Sequence, residues 1–339
     1  MSTELEHLIP IDFKNVVQVP DTHTWLINNS SSTDESVPVI NHGIPMELLA
    51  QIEHQARRFF DLTREEKLLT LRSPDSPVGY DIIPFSPIFN TLMWMEGLTV
   101  SGSSLELARR VWPEDYSPFC TVTEDYQEQM RGLAEKIIFL IFKSLGISRE
   151  DVEWFEPKSM EAFLHFNSYP NCPDPTRALG MAPHRDTSLI TLLYQSSTNR
   201  GLQVYGPNLK WVDVEPISNA FVVNVAEMLQ MYSNDQFKSV VHRAIVSEAQ
   251  HRISVVYFYG PNIDIKISSS LKLIKDGDFS IYRAVSLKEY RKIKDVHFDK
   301  ALEVLRFNSF VVENANALTS GNEAPLDRVD GGKVEALEA

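Results

Sequence analysis

In Ala182-Pro183-His184-Arg185-Asp186-Thr187 a histidine and a carboxylate stand two positions apart, and the apolar run Ser188-Leu-Ile-Thr-Leu-Leu-Tyr194 follows at once. On an extended backbone residues i and i+2 point the same way, so His184 and Asp186 converge on one point while Arg185 faces away. The run behind them reads as a strand, bounded by polar and turn-forming residues.

From Glu161 onward such runs recur at close intervals: 162–166, 189–194, 202–205, 210–214, 220–225, 240–246, 253–259 and 263–267, separated by Pro, Gly, Asn and Ser. Many short strands with turn signals between them predict a sandwich, barrel or jelly roll. Upstream the texture is helical. Residues 45–60 carry Leu48, Leu49, Ile52, Ala56 and Phe59 at helical spacing behind Pro45. Thr63-Arg-Glu-Glu66 is a capping-box signature, and the proline-rich stretch 72–90 predicts a loop. A long helix is predicted from Thr121 to about Leu145, with Tyr126, Met130, Leu133, Ile137, Ile141 and Leu145 inward and Gly146 as a left-handed cap. Residues 283–306 return to helical character, and the acidic tail after about Phe310 predicts disorder. The expected organisation is a helical and loop region over 1–120, a helix-backed core over 121–308 and a tail over 309–339.

A net charge of -14 over 339 residues argues against a nucleic-acid partner or an anionic membrane surface. The two cysteines, Cys120 and Cys172, make no disulfide framework and favour a reducing compartment. The N-terminus lacks a signal peptide's basic and apolar regions, and the densest apolar run, residues 137–142, is far short of a membrane span. A cytoplasmic monomer is expected. His42, in the turn Asn41-His-Gly-Ile-Pro45, reads as structural.

His242 supplies a third candidate ligand. Two imidazoles and a carboxylate on one face suit non-haem Fe(II), leaving positions for co-substrate and dioxygen. Alone the pattern is open to other readings, since His165, His251 and His297 stand in the same half. Arg252-Ile253-Ser254, ten residues after His242, narrows it. Arg and Ser at i and i+2 share a strand face, and an inward guanidinium needs an anion; the alternative is an Arg–Glu pair at a sheet edge. The distal carboxylate of a 2-oxo dicarboxylate suits the arginine fork. Zinc hydrolysis leaves the Arg-x-Ser pair without a role. Asn167 and Tyr169 share a second strand face, and either could bond the oxo acid.

The runs Asn167-Ser-Tyr-Pro-Asn-Cys-Pro-Asp-Pro, His184-Arg-Asp, Gly201-Leu-Gln-Val204, Trp211-Val-Asp-Val214, Val222-Val-Asn-Val225, Phe237-Lys-Ser-Val-Val-His-Arg243 and Arg252-Ile-Ser254 resemble the plant Fe(II)/2-oxoglutarate-dependent dioxygenases. Asp174-Pro-Thr-Arg-Ala-Leu-Gly180, Leu92-Met-Trp-Met-Glu-Gly97 and Trp112-Pro-Glu-Asp-Tyr116 are most similar to the gibberellin 3-oxidase branch. The resemblance spans roughly residues 10–308. It implies a mainly β fold with flanking helices, a double-stranded β-helix or cupin-like jelly roll. It implies Fe(II) on His184, Asp186 and His242, and 2-oxoglutarate on Arg252 and Ser254 with Tyr169 and Asn167. It implies ascorbate as the supporting reductant. The implied substrate is an apolar, carboxylated diterpenoid, a gibberellin precursor hydroxylated at the 3β carbon. The alternatives are oxidation of another gibberellin carbon or hydrophobic acid, and a non-catalytic ligand-binding relative. Phe166, Tyr257 and the loop from Tyr80 to Phe89 are expected pocket walls.

Two departures stand out. Arg185 replaces the family's usual small residue between the ligands, and its side chain is expected in solvent. Val37-Pro-Val-Ile40 runs directly into Asn41-His-Gly, where the family places a helix and a strand, so an unpaired sheet edge is expected.

Overall fold

Arg252–Gly260 is nine residues of almost unbroken apolar and aromatic chain, the composition of a strand covered on both faces. In the computed structural model it is the central strand of a seven-stranded sheet. The structure describes residues 36–307 apart from 83–84, 87–89, 196–199, 207–208 and 275–278. The predicted disordered tail and part of the loop from Tyr80 to Phe89 lie outside the described residues.

The strands of the two facing sheets, in chain order, are β1 (Ser36–Val39), β2 (Gly79–Asp81), β3 (Glu96–Val100), β4 (Glu161–Tyr169), β5 (Met181–His184), β6 (Ile190–Gln195), β7 (Leu202–Tyr205), β8 (Trp211–Asp213), β9 (Phe221–Val225), β10 (His242–Ala244) and β11 (Arg252–Gly260). The larger sheet runs β1-β9-β6-β11-β4-β3-β2 and the smaller β8-β7-β10-β5. Every pairing in both is antiparallel. This is the expected jelly-roll arrangement. The boundary expected at residue 120 does not divide it, because β1, β2 and β3 complete the larger sheet from before that point.

Strand alternation sorts each side chain. On β11 the odd-numbered Ile253, Val255, Tyr257 and Tyr259 join the main core, as do Leu164 and Phe166 of β4. The even-numbered Arg252, Ser254, Val256 and Phe258, with Phe163, His165, Asn167 and Tyr169 of β4, face the cavity between the sheets. Phe166 and Tyr257 are therefore core residues, not the expected pocket walls. Each stands one position away from a cavity-facing residue, and a single step along a strand reverses the face.

The main core lies between the larger sheet and two helices. α1 (Met46–Phe60) buries Leu48, Leu49, Ile52, Ala56 and Phe59. α2 (Ser117–Ser144) buries Tyr126, Met130, Leu133, Ile137 and Ile141. It starts four residues earlier than predicted, because Pro118 fits a first helical turn. Gly146 follows with φ +70°, the expected left-handed cap. Burying one such large apolar side chain contributes roughly 1.5–3 kcal/mol. The capping box is present: Thr63 N–H donates to Glu66 Oε2 at 2.8 Å, and Glu66 N–H to Thr63 Oγ1 at 3.3 Å. The predicted C-terminal helical segment contains α3 (Leu287–His297) and a short helix, Ala301–Leu305. No helix among the described residues is long and apolar enough to cross a membrane.

The expected unpaired edge is covered. β1 pairs with β9 over four residues, Ser36 opposite Asn224 through Val39 opposite Phe221. Pro38 is tolerable there because β1 is itself the outermost strand. His42 is structural as expected: its Nε2 bonds the Asn219 carbonyl at 2.9 Å, and its Nδ1 accepts the Ile44 N–H at 3.1 Å.

Candidate active site

β5 and β10 are adjacent strands of the smaller sheet, and their register sets His184 opposite His242. The ring centroids are 4.2 Å apart. Asp186 lies two residues beyond His184, just past the end of β5, and its carboxylate reaches both rings. Oδ1 is 3.6 Å from His184 Nε2 and Oδ2 is 3.7 Å from His242 Nε2. One donor atom from each of the three falls within 4.8 Å of the others, a group able to hold a metal ion.

The imidazoles are oriented for that purpose. His184 Nδ1 bonds the Ala182 carbonyl at 2.9 Å, and His242 Nδ1 bonds the Val240 carbonyl at 3.3 Å. A carbonyl only accepts, so each Nδ1 carries the proton and each Nε2 presents a lone pair. Burial, and then His242 beside it, lowers the His184 pKa to about 4, so this ring is neutral near pH 7. Burial pushes the Asp186 carboxyl up, but His242 and His184 outweigh it and the group stays below the ordinary carboxylate range. The result is a buried anion beside the neutral His184 ring, and Asp186 Oδ2 has no hydrogen bond. A bound cation resolves that arrangement.

Backbone contacts hold the segment in place. Glu227 N–H donates to the Asp186 carbonyl at 2.9 Å. Lys294 of α3 donates to the Arg185 carbonyl at 2.6 Å, and its ammonium is paired with the fully buried Glu227. Arg185 itself is not the solvated side chain expected. It is half-buried at the cavity wall, with Nε donating to the Ser239 carbonyl at 2.9 Å.

Arg252 lines the cavity and is 5% exposed. Its Nη2 donates to Gln195 Oε1 at 2.8 Å, its Cζ sits 5.0 Å from the centroid of the Tyr169 ring, and its Nη1 has no partner. A buried guanidinium with a free edge suits a planar carboxylate. Ser254 is two residues along the same face, its Oγ accepting from Asn167 Nδ2 at 3.3 Å. Arg252, Ser254, Tyr169 and Asn167 are thus brought together, across the directly opposed pairs Arg252–Tyr169 and Ser254–Asn167. Two glycines make room for them. A Cβ on Gly201 would stand 2.7 Å from Arg252 Cδ, and one on Gly180 would stand 2.7 Å from the Tyr169 ring.

The cavity between the sheets measures about 600 Å³, within the range of small-molecule sites. The sequence reading did not place several functional residues. His165 lines the cavity, with Nε2 donating to Asn167 Oδ1 at 2.9 Å and Nδ1 accepting from Thr99 at 2.7 Å. Its position two residues before Asn167 was the available signal. Gln195, which holds Arg252 from behind the cavity lining, is a long polar side chain ending an apolar strand. Arg291 and Lys294, on α3, offered no local pattern.

The 2OG-Fe(II) oxygenase superfamily pattern matches residues 160–261, and an N-terminal pattern described for a non-haem dioxygenase in morphine synthesis matches 27–115. Gibberellin 3-beta-dioxygenase 1 of Arabidopsis thaliana is 37% identical over 332 positions, covering 87% of this chain and 92% of the relative. The chain belongs to the 2OG-Fe(II) oxygenase superfamily. The oxygenase is also 37% identical to gibberellin 3-beta-dioxygenase 1 of Pisum sativum, over 87% of this chain and 89% of that one. A crystal structure of JOX2 in complex with 2OG, Fe and JA aligns with a TM-score of 0.73 and 28% identity, covering 81% of this chain and 82% of that chain. The 332 positions aligned with the Arabidopsis protein exceed the 87% of 339 residues they cover, so that relative carries residues with no counterpart here. The oxygenase is a 2-oxoglutarate-dependent dioxygenase, and its family uses Fe(II) and 2-oxoglutarate.

Proposed function

We propose that the oxygenase hydroxylates a gibberellin precursor at its 3β carbon, with Fe(II) on His184, Asp186 and His242 and 2-oxoglutarate on Arg252, Ser254, Tyr169 and Asn167. The observation that carries this is the cavity's pairing of two orphaned charges, Asp186 Oδ2 and Arg252 Nη1, one suited to a cation and the other to a carboxylate. The gibberellin assignment is supported by the relatives' names.

When bound, Fe(II) and 2-oxoglutarate supply oxidative decarboxylation coupled to hydroxylation of an unactivated C–H. The protein's residues do the rest. The two Nδ1 bonds keep the Nε2 lone pairs on one point. The Arg252 fork, fixed by Gln195 and backed by Tyr169, orients the dicarboxylate. Leu193, Leu202, Val222 and Val256 pack together between the sheets and keep water from that region. The oxygenase acts as a cytoplasmic monomer in this reading, its two cysteines buried and unpaired.

The test is turnover of a panel of gibberellin precursors with Fe(II), ascorbate and 2-oxoglutarate, with products identified by mass spectrometry. A 3β-hydroxylated product is expected. Oxygen inserted at another carbon would replace the assignment, and absence of substrate-dependent succinate would end it.

A further inference from the structure

The cavity wall carries more positive charge than the co-substrate needs, and most of it is engaged. Arg72 is paired with Asp81 at 2.8 Å, and Lys294 with Glu227. Arg185 donates to the Ser239 carbonyl, and Arg243 to Gln203 Oε1 at 2.8 Å. Arg291 differs. Among the described residues no ion pair or hydrogen bond engages its guanidinium, which rests over the Phe163 ring with Cζ 5.5 Å from the centroid. Glu161 and Asp295 act on it only at longer range. The residue is half-buried, and a guanidinium taken partly out of water without an acceptor is unfavourable.

Its position separates it from the co-substrate. Phe163 is opposite Phe258, and Phe258 is six residues along β11 from Arg252. That is about 20 Å of strand at ~3.4 Å per residue, beyond the reach of a five-carbon dicarboxylate held by Arg252. Its distance from the metal-ligand cluster is different. Thr191, near enough to Asp186 to lower its carboxyl, is opposite Phe258 on β6. From Thr191 to Phe163 is two strand spacings, about 10 Å. The Phe163 and Phe258 side chains line the cavity between.

We propose that Arg291 binds the carboxylate of the substrate, so that the acid is held at one end by the Arg291 fork, lies across Phe163 and Phe258, and offers its far end to the His184–Asp186–His242 cluster. The inference rests on the functional reading above only in taking the substrate to be an apolar acid. Arg291 is a positioning residue here, and it sets which carbon is presented. The stacking on Phe163 keeps the fork aligned before the ligand arrives. The planar guanidinium matches a carboxylate in two parallel hydrogen bonds, which an amide or an ester cannot reproduce.

The test compares equilibrium binding of two carboxylated diterpenoids, a gibberellin and abietic acid, each with its methyl ester, to the full chain in the wild type, Arg291→Gln and Arg291→Lys. At least one acid is expected to bind the wild type about tenfold or more tightly than its ester. That preference should vanish in Arg291→Gln and return in part in Arg291→Lys, while the KM for 2-oxoglutarate stays unchanged. An acid preference that survives Arg291→Gln overturns the proposal, as does equal binding of acids and esters by the wild type, a comparison that needs no variant. Gibberellin turnover reads out separately. If the wild type binds an acid through Arg291 yet makes no gibberellin product, the functional reading fails and the anchor stands. If it makes the product with no acid preference, the reverse holds.

Discussion

His184 and His242 are partners in strand register across β5 and β10, with each Nδ1 bonded to the carbonyl two residues before it. Backbone pairing therefore sets the two histidines, and Asp186 joins them from just beyond the strand end. His184→Ala or Asp186→Ala should leave the sheets intact and lower Co(II) or Mn(II) affinity by ~100-fold or more, since even supporting contacts of metal ligands are worth 10–100-fold. Spectroscopic titration checks the affinity, and circular dichroism checks the fold. Unchanged metal affinity would remove the residue from the site.

Arg252→Gln should raise the KM for 2-oxoglutarate by roughly 10- to 100-fold, the worth of charge-assisted hydrogen bonds at about 1.5–3 kcal/mol. The readout is succinate formation against 2-oxoglutarate concentration. A KM within twofold of wild type would place the co-substrate elsewhere.

Gly201→Ala should act on the same constant from the neighbouring segment. A Cβ 2.7 Å from Arg252 Cδ cannot be accommodated without moving that side chain, and burial leaves it little room. A rise of about tenfold in the 2-oxoglutarate KM, with metal affinity unchanged, is the expected result. Metal affinity falling in parallel would point to a general distortion instead.

Much of the site was legible because alternation along a strand is a strict rule. Arg252 with Ser254 and Asn167 with Tyr169 follow from i, i+2 placement on β11 and β4; His184 with Asp186 also lines the cavity, but so does Arg185 between them, because the strand ends at His184. The same rule excluded Phe166 and Tyr257 from the wall, and their apolar character masked it. Other features depend on distant chain. β2 is three residues containing a glycine, too short to carry a period. Arg291 gains its meaning only when α3 is laid over Phe163. Nothing local in Val37-Pro-Val-Ile40 indicates that its partner is Phe221–Val225.

The Lys294–Glu227 pair is a deeply buried ion pair, with side-chain exposures of 15% and 0%. Removing one partner leaves an uncompensated charge, so Lys294→Met should destabilise by about 3–5 kcal/mol. Lys294→Met with Glu227→Leu should recover much of that, as measured by urea unfolding. A double variant as unstable as the single one would show that the pair's hydrogen bond to the Arg185 carbonyl, rather than its charge, is what matters.

His165 gives the pH dependence a sign. Burial lowers its folded pKa to about 4, against an ordinary 6.5. The unfolded chain therefore binds the proton first as pH falls. Stability is full above about 6.5 and declines down to about 4, by up to ~1.4 kcal/mol per pH unit from this group. His165→Gln should flatten that part of the pH–stability curve measured by denaturant midpoints. An unchanged slope would assign it to other buried groups.

The pairing of β1 with β9 also has a temporal side. β1 is made before every other strand of the larger sheet, while Phe221–Val225 follow some 185 residues after it. At roughly 5–20 residues per second, β1 waits about 10–40 s for its partner to be translated. Through that interval the first strand of the larger sheet has no β9 edge to pair with. The His42 contact to the Asn219 carbonyl waits equally long. The N-terminal edge of this sheet is thus closed by the nascent chain's later half, and the ribosome sets the earliest moment at which it can close.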